Sequence, residues 1–168
     1  MYIVNQATHM SITLTSNYKE VLNTETIEYI DTLLEDNYAL DDILEFIDNY
    51  NERMFVDNYE EYVRCGEAIG YEAVDAYADE NGIDNIEDCD ERYQGFYHSV
   101  EEFAEEFYTE TMCCNIPDGI VVDWTETWER SLYYDFTACN DGSTYRPWHI
   151  FRDYWFNHIH THSPLNED

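Results

Sequence analysis

Lys19 is the only lysine in this chain. Seven lysines and arginines stand against 38 aspartates and glutamates, a formal charge of −31. Like charges at that density repel one another, and a compact state must offset the repulsion with buried surface. Acidic chains that lack core-forming residues stay disordered. This one has the residues: aromatics make up 17%, and 16 positions are tyrosine. The chain is therefore expected to fold, and 168 residues suit one ordinary domain or a few small units.

The charge also excludes functions. A sequence pI near 4.1 is incompatible with ordinary phosphate-backbone binding, which needs clustered lysine and arginine. Neither nucleic acid nor a membrane surface is an expected partner. No stretch approaches the length of a membrane span, and MYIVNQATHMSITL has no basic region or long apolar run to make it a signal peptide. Cys65, Cys89, Cys113, Cys114 and Cys139 are odd in number and irregular in spacing, which suits a reducing cytoplasm better than a disulfide framework.

The acidity is not a tail. Residues 20 to 110 hold 29 carboxylates and three arginines, whereas residues 111 to 168 hold nine and three. Periodicity places helices under this charge. TETIEYIDTLLEDN puts Ile27, Ile30, Leu33 and Leu34 on one side, and ALDDILEFIDNY puts Ile43, Leu44, Ile47 and Tyr50 inside. Further helices are expected at 58–68 and 71–81, the latter capped by Gly82. RYQGFYH reads as a strand. Ser99 with Glu102 forms a capping box before a helix whose apolar face is Phe103, Ala104, Phe107 and Tyr108. A loop at Asn115–Gly119 follows. Asp123 with Glu126 caps WTETWERSLYYDF, where Trp124, Trp128 and Leu132 share a face. Asn140-Asp141-Gly142 signals a turn between two aromatic-rich strands, and residues 2 to 15 read as a short strand pair. The expectation is an acidic α+β protein with a helical middle and a small C-terminal sheet packed with helices. Its expected parts are a short β/α segment at 1–35, an acidic helical domain at 36–88 and an α+β domain at 89–168.

So many carboxylates first suggest calcium or catalysis. An EF-hand loop begun at Asp88 places Tyr93 where glycine is needed, and no other cluster fits. His158, His160 and His162 alternate as HIHTH, but no Cys or fourth His accompanies them at zinc-site spacing. Cys113-Cys114 lacks C-x-x-C spacing and reads as buried thiol. Trp124 and Trp128 beside Asp123, Glu126 and Glu129 resemble a sugar cleft. Two converging carboxyls with separated pKa values are needed for hydrolysis, and chance supplies such pairs among 38. No G-x-S-x-G, P-loop or dinucleotide fingerprint is present. The expectation is a protein that is not an enzyme and takes no metal or cofactor.

Unrelieved negative charge has a use. Carboxylates at i, i+3 and i+4 on a helix lie about 5–6 Å apart, near the phosphate spacing along one DNA strand. At about 1.7 Å of duplex per charge, the formal charge equals roughly 50 Å of B-DNA. Such a surface can occupy a basic DNA channel and steer association. HSVEEFAEEF, with repelling pairs Glu101/Glu105 and Glu102/Glu106, then reads as crowding that a partner's cations relieve. Two alternatives remain: salt adaptation, which also raises Asp and Glu at the expense of Lys, and a calcium-dependent structural domain.

The segments ERYQGFYHSVEEFAEEF and IPDGIVVDWTETWERSLYYDF resemble the ArdA antirestriction proteins. The matching features are Tyr93-Gln94-Gly95 with Tyr97, the helix start from Ser99 to Glu106, Ile116-Pro117, Asp123 with its aromatic neighbour, and Arg130, Leu132 and Asp135. The likeness is best over 88–137 and looser from about 36. Val122-Asp123-Trp124 stands for the family's YxDY element, and Glu129-Arg130-Ser131-Leu132 for its ARDL. The first 35 residues depart from the family's N-terminal sheet domain. The resemblance implies an elongated, modular α+β protein that acts as a homodimer, mimics bent B-DNA and binds the DNA-binding subunit of type I restriction–modification enzymes, in a bacterial cytoplasm and encoded by a phage or mobile element. It also implies that Asp123, Trp124, Glu126, Trp128, Arg130, Leu132, Tyr133 and Asp135 belong to the antirestriction motif near the dimer contact. The carboxylates expected to meet the partner are Asp41, Asp42, Glu45, Asp48, Glu60, Glu61, Glu67, Glu72, Asp75, Asp79, Glu80, Glu87, Asp88, Asp90, Glu101, Glu102, Glu105, Glu106 and Glu110. The alternative target is another bacterial DNA-binding or defence protein.

Overall fold

The computed structural model describes residues 17–140, 142 and 147–153. The strand pair expected at 2–15 and the HIHTH histidines lie outside these residues. The fold is α+β. After a helical stretch at 17–21 come four helices: α1 (Thr24–Glu35), α2 (Leu40–Tyr50), α3 (Glu52–Ile69) and α4 (Tyr71–Asn81). A short helix α5 (Cys89–Arg92) leads into strand β1 (Tyr93–Tyr97). Helices α6 (Val100–Glu106) and α7 (Trp124–Arg130) precede β2 (Phe136–Asn140) and β3 (Trp148–Arg152).

Local chemistry sets these boundaries. Asn23 caps α1, its side chain accepting from Thr26 N–H at 2.9 Å. Asn51 ends α2 with φ 78° and caps α3 by accepting from the Arg53 and Met54 N–H groups at 3.0 and 3.3 Å. For that reason α3 starts at Glu52, six residues before the expected 58. Gly82, at φ 90°, caps α4 as expected. The helix that opens at Ser99 is shorter than its apolar spacing suggests. It gives way after Glu106 to a single π-helical turn, Phe107–Thr111, that still turns Phe107 and Tyr108 toward the core. The segment WTETWERSLYYDF likewise divides: α7 ends at Arg130, Leu132–Tyr134 form a 3-10 turn, and Phe136 already belongs to β2.

The sheet is antiparallel in the order β1-β3-β2, so the last of the three strands is central. Tyr97 pairs with Trp148 on one side, and Asn140 pairs with Trp148 on the other. A bulge between Tyr93 and Gly95 places Gly95 at φ 135°, a conformation that a side chain resists. The turn signal at Asn140–Gly142 is present, with the Gly142 N–H donating to Asn140 Oδ1 at 2.9 Å. The β2–β3 connection nevertheless runs over 141–147 and is not a two-residue hairpin.

Two buried clusters flank the sheet. The larger joins Ile30, Leu33, Ile43, Phe46, Phe55 and Val74 with Cys139 and Phe151. The smaller joins Phe103, Ala104, Trp128, Leu132, Phe136 and Ile150. The boundary expected at 35/36 therefore does not divide the core, because α1 packs with α2 and α3. Adjacent residues Ile150 and Phe151 point to opposite faces of β3 and enter different clusters. No helix among the described residues is long and apolar enough to cross a membrane.

Candidate acidic interaction surface

The polar faces of α2, α3, α4 and α6 carry the carboxylates expected to meet a partner. All of these are exposed except Asp48, Glu61, Asp75, Asp90 and Glu101, which are half-buried. Asp41, Asp42 and Glu45 lie along α2, Glu60 and Glu67 along α3, and Glu72, Asp79 and Glu80 along α4. Glu87 and Asp88 continue the surface through the link to α5, and Glu102, Glu105, Glu106 and Glu110 extend it along α6 and the π turn.

The few cations among the described residues are spoken for. Lys19 pairs with Asp31 at 3.0 Å, Arg53 with Asp57 at 3.9 Å and Arg130 with Glu126 at 2.7 Å. Arg64 pairs with both Glu61 and Asp90. Arg92 donates to the Tyr77 hydroxyl at 2.7 Å, and Arg152 lies over the Phe136 ring. Lys19, Arg53, Arg64 and Arg130 are matched by carboxylates close by, so they leave the remaining acidic faces their charge.

Some carboxylates do internal structural work. The Arg64 guanidinium holds Glu61 and Asp90 below the usual carboxylate range. Asp75 Oδ1 accepts from two tyrosine hydroxyls, Tyr50 at 3.0 Å and Tyr62 at 2.9 Å. Burial pushes both hydroxyls well above the tyrosine range, so they remain donors. Glu52, which the sequence reading passes over, accepts from the Asn23 backbone and side-chain amides and from the buried Thr26 hydroxyl, fastening α1 to α3. Its signal was the Asn23 cap standing near a glutamate only in three dimensions.

The crowding on α6 has an internal explanation. Glu102 Oε2 accepts from the His98 N–H at 2.7 Å, while Ser99 Oγ accepts from the Glu102 N–H at 3.2 Å. The expected reciprocal cap thus closes on His98, one residue before Ser99. Glu101 accepts from Thr125 at 3.1 Å, and hydrogen bonding, first from Ser99, lowers its pKa. Glu106 accepts from the Tyr97 hydroxyl at 3.0 Å. Three of the four glutamates are relieved by neutral donors of the same chain, so their crowding needs no partner cation.

The residues of the expected antirestriction motif fall into distinct roles. Asp123 caps α7, accepting from the Glu126 N–H at 2.9 Å. Trp128 and Leu132 are buried in the smaller cluster, and half-buried Trp124 stacks with Tyr108 at 6.4 Å. Arg130, Glu126 and Asp135 are exposed, and Tyr133 is 63% exposed beside Tyr134 at 69%.

Cys113 and Cys114 are exposed, contrary to the expected burial. The chain leaves the π turn at Thr111 and enters an exposed stretch with no core beneath it, Cys113 adopting φ 52°. Cys65, Cys89 and Cys139 are the buried thiols. Among the described residues, no group of three or more His, Cys, Asp or Glu side chains is arranged to hold a metal ion. Searches of protein-family models, curated proteins and solved structures find no match to this chain.

Proposed function

We propose that this protein is a non-enzymatic mimic of B-DNA that occupies the DNA-binding site of a type I restriction–modification enzyme and so protects foreign DNA. The observation that carries the reading is the pairing of the exposed Lys19, Arg53, Arg64 and Arg130 with carboxylates, beside helix faces of unmatched negative charge. A basic channel built for phosphates gains most from such a surface, because long-range attraction speeds encounter and the channel's own cations then lose their repulsion. The resemblance of residues 88–137 to ArdA proteins supports the choice of target and a homodimeric form. Tyr133 and Tyr134 offer exposed aromatic surface to a second copy.

The test is a competition titration. Increasing protein is added to a type I restriction–modification enzyme holding labelled target DNA, at low and at high salt. The expected result is displacement at near-stoichiometric protein, weakening as salt rises. Full retention of DNA by the enzyme, with the protein folded in the same buffer, overturns the target assignment.

A further inference from the structure

Cys65 lies in α3 and Cys89 opens α5, with the whole of α4 between them in sequence. The fold brings the two together. Both are fully buried in the larger cluster. The Ile86 carbonyl accepts from the Cys89 N–H at 3.0 Å and from Cys65 Sγ at 3.7 Å, and Cys65 Sγ lies 3.7 Å from Asp90 Oδ1. Cys65 thus faces the turn of chain that carries Cys89, and the two thiols are in hydrogen-bond contact. Among the described residues they belong to no group of three that could hold a metal ion.

A polar clasp covers the pair. Arg64 binds Glu61 and Asp90 and comes within 3.5 Å of Cys65 Sγ, while its own side chain is 47% exposed. Glu61 also accepts from the Asp88 N–H at 3.3 Å, one residue before Cys89. With the clasp closed, burial pushes both thiols above the usual cysteine range, so little of the reactive thiolate forms.

We propose that Cys65 and Cys89 are the two halves of a reversible disulfide, gated by the Arg64 clasp, that locks α5 against α3 when the chain meets a low-molecular-weight disulfide such as glutathione disulfide. Thiols already in contact need only a small side-chain movement to reach the S–S bond length of about 2.05 Å. Once the clasp opens, one cysteine thiolate attacks a sulfur of glutathione disulfide, breaking its S–S bond and releasing one glutathione. The second cysteine attacks the protein sulfur of the mixed disulfide and releases the other. The cysteine pair loses two electrons, and the two thiol protons end on two glutathione molecules. The bond closes a loop containing all of α4 and so removes freedom from the unfolded chain. The lock is independent of DNA mimicry: the competition titration and the experiment below can each fail without the other.

The experiment refolds the full chain from urea with either reduced glutathione or glutathione disulfide, and maps cross-links by mass spectrometry of unreduced peptides. A Cys65–Cys89 link is expected with the disulfide, and its loss on adding dithiothreitol. Melts are read on the double variant Cys113→Ser/Cys114→Ser, which lacks the exposed thiols. Oxidation should raise its melting temperature by roughly 5–10 °C. Adding Cys89→Ala should abolish that rise whatever the variant's own stability, because each variant is compared with its own reduced form. Native protein given glutathione disulfide should acquire the link only as the clasp opens, and severalfold faster in Arg64→Met, with both chains folded by circular dichroism. Glutathione adducts or links to Cys139 in place of the Cys65–Cys89 bond, a melting temperature unchanged or lowered by oxidation, or equal rates in wild type and Arg64→Met would each overturn the proposal.

Discussion

Arg64 grips Asp90 with two hydrogen bonds, Nη1 to Oδ2 at 2.8 Å and Nη2 to Oδ1 at 2.9 Å, across 26 positions of the chain. The same guanidinium reaches Glu61 at 2.6 Å, so it links α3 to α5. Paired, planar geometry of this kind is stronger than a single exposed contact. Arg64→Met should therefore lower the melting temperature by more than Arg53→Met or Arg130→Met, whose partners lie one helical turn away on the same helix. Because Arg64 depresses Glu61 and Asp90, their contribution to stability is present above the ordinary carboxylate pKa of about 4 and is lost as pH falls through the lower folded values. The gap between wild type and Arg64→Met should narrow on acidification below pH ~4. A gap that widens there would contradict this account.

Phe151 is fully buried against Tyr77, with ring centroids 4.6 Å apart. Phe151→Ala should cost about 3–5 kcal/mol, the usual range for a large aromatic removed from a core. That is a large fraction of a typical domain stability of about 5–15 kcal/mol. Urea unfolding measures it, and a loss below about 1 kcal/mol would mean that the site is not packed as described.

Self-repulsion predicts a salt response. Raising NaCl from 0.01 to 0.15 M shortens the screening length from about 30 to 8 Å. The melting temperature should climb through that interval and then flatten. A chain that is unfolded by circular dichroism until molar salt is added would instead favour salt adaptation.

Thiol reactivity should divide by position. In native protein Cys113 and Cys114 should react promptly with an aromatic disulfide reagent, while Cys65, Cys89 and Cys139 react only on unfolding. Mass spectrometry of labelled peptides checks the assignment. Burial holds the Cys139 thiol up at about 12, which reinforces its inertness.

If the acidic faces act as a DNA mimic, charge should matter by accumulation. Glu105→Gln alone should leave the competition titration almost unchanged, because single exposed ion pairs contribute about 0.2–1 kcal/mol. Neutralising Asp41, Asp42, Glu45, Glu105 and Glu110 together should raise the protein needed for half-displacement at least about tenfold. Abolition of displacement by one exposed carboxylate change would point to a different mode of action.

The helical part of this fold is legible because its signals are local. Ile30, Leu33, Ile43 and Leu44 recur at helical spacing and are buried, and the Ser99 and Asp123 caps stand where their side chains predict. What escaped depends on distant partners. Phe46 is nearly fully buried because the rings of Tyr50, Phe55, Tyr59 and Tyr62 surround it, and three of those belong to the next helix. The internal donors that relieve Glu101 and Glu106, Thr125 and Tyr97, lie on elements that only the fold brings beside α6. Asp75 looked like one more surface charge until two tyrosines from α2 and α3 met it. Composition identifies an acidic exterior, but not which of its carboxylates are already committed within the chain.

The central position of β3 bears on synthesis. A ribosome delivers residues 148–152 after every other described element, yet both β1 and β2 wait for them, and Ile150 and Phe151 complete opposite cores. Emerging helices can form as they leave the exit tunnel, but neither core is complete until β3 is free. The nascent chain must therefore keep both cores incomplete until β3 emerges, held apart from its neighbours by the same charge that burdens the finished fold.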